Sequence, residues 1–258
     1  MKDFRKYSLE QLKQLLDRYR NMRMMSRELL SEIKSDPSGL IAHLTPPYYW
    51  STIYTLTYTE HLACFICVAG LSNDVHQAAL SEDPQASGLE LFDAQTVSPW
   101  DHGSNGEYDV KHLFGLLYSL EKSMESMVAH GKFLNELVVD AQNGDDRALF
   151  KAVGIDRSIV NCPPIADRIA LAEITCDEVF FKKLSNAFKD GPRELDGEYD
   201  ELRYLLFALE EAEALETLST ERAYEVFCEE LAVYPADGSD AARSLNQFIS
   251  RWRKRRAT

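Results

Sequence analysis

The feature that most restricts the fold is the period of the apolar residues. Leu9, Leu12, Leu16, Tyr19, Met22, Leu29, Leu30 and Ile33 recur largely at three- and four-residue intervals, which lines them along one face of a helix. The same spacing returns in Leu113, Leu117, Leu120, Met124, Met127, Leu134 and Val138. Almost nowhere do polar and apolar residues alternate for long enough to build one face of a sheet. The exception is Ile53-Tyr54-Thr55-Leu56-Thr57-Tyr58-Thr59, which is rich in β-branched residues and has period two. It keeps one short strand open as an alternative. The expectation is an all-α, multi-helix protein.

Local signals divide the chain. Ser8 and Gln11 have the spacing of a capping box, and Asp36-Pro37-Ser38-Gly39 ends the first helix. Thr45-Pro46-Pro47 opens an apolar segment running to Leu71, which has no clean polar face and is expected at the centre of the fold. Residues 81–108 read as a long loop, Asp109 as the cap of a helix reaching about Asn143, and Asn143-Gly144-Asp145 as a break. Shorter helices follow over 146–153, 157–161, 164–175, 177–189, 198–217, 220–232 and 241–255. Thr175 and Glu178 have capping-box spacing, Ser219 and Asp240 read as N-caps, and Gly191-Pro192 and Asp237-Gly238-Ser239 as turns. Two units are expected: residues 1–142, with long helices and the 81–108 loop, and residues 143–258, ending in a basic helix.

Composition then limits the class. With 45% hydrophobic residues the chain has enough apolar material to fold despite its charge. Tyr48–Leu71 is long enough to span a bilayer, but it contains Glu60, His61 and five Thr and Ser hydroxyls. An ionised carboxylate mid-span costs roughly 2.5–3.5 kcal/mol, so no membrane partner is expected. The start of the chain runs directly into polar helical sequence rather than an apolar leader. Five cysteines, an odd number spread through helical sequence, suit reduced thiols and a cytoplasmic location.

Charge is uneven. Residues 1–34 hold nine Lys/Arg against five Asp/Glu, and residues 243–258 hold six Lys/Arg and no acid. That leaves 35–242 at −24 within a total of −14. Such a body repels nucleic acid and anionic membrane, so contact with either has to come through the ends.

The sequence contains no phosphate loop, GxGxxG fingerprint, GxSxG elbow, HExxH motif or EF-hand loop, and no Glu precedes a His by three residues. No cofactor is therefore expected, and the balance leans away from an enzyme.

Four candidate sites remain. In Arg251-Trp252-Arg253-Lys254-Arg255-Arg256, five cations surround one aromatic residue. Cations that neutralise phosphates, with an aromatic for stacking, are what a nucleic-acid grip requires. The same cations also suit a helix C-terminus or the acidic belt over 194–230, and Trp252 continues the stripe Leu245, Phe248, Ile249. His61, Cys64 and Cys67 bring imidazole and thiolate, both good zinc or iron ligands, onto one helix, although the outer two diverge by about 120°. Asp101 and His102 supply an acid and an imidazole between turn residues. Ala148–Val160 resembles the opening of a helix-turn-helix DNA reader, cut short by Pro163 and Pro164.

The leading expectation is a non-catalytic helical binding or regulatory protein that works through charged surfaces. Its basic C-terminal helix (Arg251, Arg253, Lys254, Arg255, Arg256) would meet nucleic acid or an acidic protein, and a basic end meeting an acidic body across two copies would give a homodimer. The alternative is a metal-dependent helical enzyme using the His-bearing N-terminal unit.

Overall fold

The computed structural model describes residues 8–35, 53–94, 110–190, 197–236 and 240–256. Among them the fold is all-α: twelve α-helices, short 3-10 turns, one π segment and no strand. No helix among the described residues is long and apolar enough to cross a membrane. The chain divides into two compact units, neither continuous in sequence. One comprises Met1–Ser38, Met127–Lys132 and Pro192–Thr258, the other Gly39–Ser126 and Phe133–Gly191.

The first unit is built on α1 (Leu9–Ser35) and α10 (Asp200–Glu211), which pack together. The expected capping box opens α1: the Ser8 N–H donates to Gln11 Oε1 at 2.8 Å and the Gln11 N–H to Ser8 Oγ at 3.2 Å. The apolar stripe then buries Leu12, Leu16 and Tyr19, with the Tyr19 ring stacked on Tyr204 at 4.4 Å. Arg20 forks onto Glu201 at 2.6 and 2.7 Å. The expected single helix over 198–217 stops at Glu211, because Glu213 takes a left-handed φ of 53°; a 3-10 turn, Leu215–Thr217, follows. Ser219 caps α11 (Thr220–Tyr224) through the Arg222 N–H. That helix runs on as the π segment Glu225–Glu230 and packs on α12 (Ala241–Arg256).

The second unit contains α2 (Tyr58–Val68), α3 (Ser72–Leu80), α4 (Pro84–Ala94), most of α5 (Val110–His130), α6 (Leu134–Gln142), α7 (Asp146–Ile155), α8 (Pro163–Ile174) and α9 (Glu178–Asp190). Several boundaries differ from the sequence reading. The period-two segment is not a strand: Ile53–Thr55 is a 3-10 turn. Thr57 and Glu60 form a reciprocal capping box that starts α2 at Tyr58. This cap shortens the apolar helix, and His61 alone is buried within it, so α2 is not the central helix expected. The 81–108 loop contains α4, opened by Pro84 at the first helical position and by Asp83 accepting from the Ala86 N–H. The long helix expected to reach Asn143 breaks at Gly131, which has a φ of 74°; the apolar spacing simply continues across the break into α6. Asp177, not Thr175, caps α9 through the Phe180 N–H at 2.9 Å. Thr175 instead donates to the Leu171 carbonyl.

A buried polar knot links the start of this unit to its middle. Tyr54 donates to Asp156 Oδ2 at 2.5 Å, and its oxygen lies against Ser158 Oγ. Asp156 Oδ1 accepts from the Ser158 N–H and hydroxyl. Asp156 thereby caps the 3-10 turn Arg157–Asn161. The helix-turn-helix resemblance ends here. Gly154 lies inside α7 rather than in a turn, and the would-be reading helix is this single 3-10 turn, with Ile159 fully buried.

The expected features at Asp36–Gly39, Thr45-Pro46-Pro47, Asp109, Gly191-Pro192 and Asp237–Ser239 lie outside the described residues.

Candidate functional site

The site with the clearest geometry is α12. Ala241, Leu245, Ile249 and Trp252 are all buried, and at 100° per residue they fall on one face. Phe248 borders that face and meets Tyr199 at 5.5 Å and Tyr234 at 5.9 Å, ring centre to ring centre. This packing fixes the rotation of the helix, and the rotation decides where each cation points. Arg243, Gln247, Arg251 and Lys254 are exposed and lie within a sector of about 80° on the opposite face, with Arg255, also exposed, at its edge about 60° from Trp252. From Arg243 to Arg255 the row is about 18 Å long.

The other two cations of the run are directed at the protein itself. Arg253 donates from Nη2 to the Leu215 carbonyl at 2.6 Å. Arg256 donates from Nε to Glu210 Oε2 at 3.1 Å, lies 3.6 Å from Glu211 Oε1, and covers the Phe207 ring at 5.7 Å. Its side chain is 15% exposed. The stem of Arg255 approaches Gly131 so closely that a Cβ there would stand 3.2 Å from Arg255 Cβ. Of the five cations singled out in sequence, Arg251 and Lys254 therefore point outward, and Arg255 stands at the edge of that row. Arg243, one turn before Gln247, joins them; counting the helical period back from 251 would have found it.

The His61, Cys64 and Cys67 trio separates. His61 is 2% exposed, and its Nε2 is hydrogen-bonded to Ser119 Oγ at 2.7 Å. Burial lowers its pKa to about 4, so the ring is neutral at physiological pH. Ser119 is fully buried and also donates to the Leu116 carbonyl at 3.0 Å. With both groups shut away from solvent, this is a bond of the core. Cys64 and Cys67, in contrast, are exposed. Among the described residues, no group of three or more His, Cys, Asp or Glu side chains is placed to hold a metal ion. Asp101 and His102 lie outside the described residues.

One feature had no sequence signal. A groove of about 390 Å³ in the first unit is lined by Tyr19, Arg20, Arg23, Tyr199, Asp200 and Ala232, among others. Tyr199 and Ala232 have φ of 69° and 50°, left-handed values that side-chain-bearing residues seldom adopt. Burial raises the Asp200 carboxyl pKa, opposed by Arg203 and the Gly197 N–H. The groove joins residues about 180 positions apart, as in Arg20 and Glu201, so no short motif announces it.

The chain matches no protein-family model, no curated protein and no solved structure.

Proposed function

We propose that this chain is a non-catalytic binding or regulatory protein whose C-terminal helix grips a polyanion, nucleic acid foremost, through the row Arg243, Arg251, Lys254 and Arg255. The observation that carries the reading is that Arg243, Arg251 and Lys254 share one exposed face, with Arg255 at its edge, of a helix whose other face is anchored. A row about 18 Å long is well matched to a nucleic-acid backbone, where each strand offers a phosphate about every 3.4 Å of rise. The strongly acidic body over 35–242 supports the same assignment, because it confines a polyanion to the basic ends, of which residues 243–258 carry the higher charge.

The test is fluorescence anisotropy with labelled single- and double-stranded DNA and RNA across a salt series. Four engaged cations give a log–log salt slope of about −3 to −4. The variant Arg243→Gln/Arg251→Gln/Lys254→Gln/Arg255→Gln is expected to lose binding while keeping its helical circular dichroism. Removing residues 251–258 is a poorer test, because it also deletes Trp252, a buried anchor of the helix. Row-dependent binding of polyglutamate, with none of nucleic acid, would make the partner an acidic protein. Binding of neither would refute the proposal.

A further inference from the structure

We propose that Cys64 and Cys67 form a peroxide-sensitive dithiol, closing reversibly to an intramolecular disulfide with Cys67 as the sulfur that reacts first. Cys64 and Cys67 stand three residues apart on α2, so their side chains lie on one face. Both are exposed. In a regular helix their Cβ atoms are about 5–6 Å apart. A disulfide needs Cβ atoms about 3.5–4.5 Å apart, with Cα atoms within about 4.4–6.8 Å. Closure thus asks for a movement of about 1–2 Å.

The pair lies at the C-terminal end of α2. Cys67 is the penultimate residue of the helix, whose ladder ends in the bonds Ala69 N–H to Phe65 carbonyl (2.8 Å) and Gly70 N–H to Cys67 carbonyl (3.1 Å). Gly70 then turns the chain with a φ of 73°. The Leu71 N–H likewise donates to the Ile66 carbonyl at 2.9 Å, so the last carbonyls of α2 are held and closure has to draw a capped turn inward. A disulfide that pulls a helical turn inward is strained, and an exposed, strained disulfide is easily reduced again.

The surroundings distinguish the two sulfurs. Ser72 donates its hydroxyl to Cys67 Sγ at 3.7 Å. Ser72 is the first residue of α3, and the residue before it, Leu71, supplies no side-chain cap. The Cys67 sulfur therefore has a hydroxyl donor beside it at the start of the next helix. Cys64 has no comparable neighbour among the described residues.

The chemistry balances with one peroxide. The Cys67 thiolate attacks a peroxide oxygen; the O–O bond breaks, and the leaving oxygen takes up a proton and departs as water, leaving a sulfenic acid. The Cys64 sulfur then attacks that sulfur, the S–O bond breaks, and a second water leaves with the Cys64 proton. Two thiols and hydrogen peroxide become one disulfide and two waters, the peroxide being reduced and both sulfurs oxidised.

The full-length chain provides the test, with Cys176, also exposed, as internal reference. No Lys or Arg lies between Lys34 and Lys111, so trypsin isolates Cys64 and Cys67, and no other cysteine, in one peptide. After hydrogen peroxide and alkylation of the native protein, that peptide should lose both alkylation sites together and about 2 Da, the two thiol hydrogens. It should do so on the order of tenfold faster than Cys176 loses its site, and dithiothreitol should restore both. In Cys64→Ser, dimedone should trap a sulfenic acid on Cys67; Cys67→Ser should react no faster than Cys176. The pair remaining alkylatable while Cys176 is consumed, or losing its sites one at a time, would overturn the proposal. Equal rates in the two serine variants would overturn the assignment of Cys67 as the first to react.

Discussion

Arg256 Nε lies 3.1 Å from Glu210 Oε2, which joins the last cation of α12 to the end of α10. The guanidinium also covers Phe207, and its side chain is only 15% exposed. Two arginines of the same basic run thus have different duties. Arg251 faces outward beside Gln247, whereas Arg256 holds the helix in place. We expect Arg256→Ala to cost about 1–2 kcal/mol in urea denaturation, the usual value of a partly buried, charge-assisted hydrogen bond. Polyanion affinity should change by no more than about twofold, because the outward row is untouched. A variant that kept its stability and lost its binding would reverse this division of labour.

Trp252 provides the second expectation. It is 2% exposed, and its Nε1 finds no acceptor among the described residues. Trp252→Ala should therefore cost about 3–5 kcal/mol, as large-to-small core changes do. Trp252→Phe keeps most of the ring and removes the unsatisfied N–H, so its cost should stay below about 1.5 kcal/mol. Equal losses in the two variants would show that the indole N–H is bonded after all.

His61 sets a pH dependence. Its pKa is about 4 when folded, against 6.5 in the ordinary range, and burial is the cause. The unfolded chain thus takes up a proton that the folded chain refuses. This contribution to stability is complete above pH 6.5 and declines as the pH falls toward 4. The total is about 3 kcal/mol, from about 1.4 kcal/mol per pKa unit. His61→Gln cannot titrate, so its stability should fall less steeply over the same window. Parallel pH profiles for the two proteins would exclude His61 as the source.

The ion pair Lys122–Glu125 offers a fourth test. Lys122 Nζ lies 2.7 Å from Glu125 Oε2, with both side chains 7% exposed and the Tyr118 ring 5.6 Å from the ammonium. Glu125 keeps a further partner but loses the cation that faces it, so Lys122→Met should cost about 1–3 kcal/mol. Adding Glu125→Met should cost much less than the sum of the single changes, with a coupling of at least about 1 kcal/mol in a double-mutant cycle. Additive losses would mean that the two charges are satisfied independently.

Helices were legible where a cap and an apolar stripe agree. Ser8 with Gln11 and Ser219 each mark a start that the backbone uses, and the helices over 146–155 and 241–256 follow their stripes. The failures have local causes. Alternation at 53–59 suggested a strand, but the cap formed by Thr57 and Glu60 decides the segment. Apolar spacing ran on through Gly131 because the residues beyond it also pack, which concealed a turn set by one left-handed glycine. The basic run at 251–256 was visible as composition, whereas its division into outward and inward cations depends on which way Trp252 turns the helix. No sequence period reveals that Arg20 meets Glu201 or that Tyr199 and Ala232 line a common groove.

The order of the segments also bears on synthesis. The partners of α1 lie in α10, which leaves the ribosome some 180 residues later. At about 5–20 residues per second, α1 waits roughly ten to forty seconds with Leu12, Leu16 and Tyr19 uncovered. The unit comprising Gly39–Ser126 and Phe133–Gly191 has by then emerged in full. A nascent chain stalled once residue 191 has left the ribosome would therefore hold a complete second unit and an unfinished first one. That interval, more than any later step, is when α1 is open to chaperones and to pairing with other nascent chains.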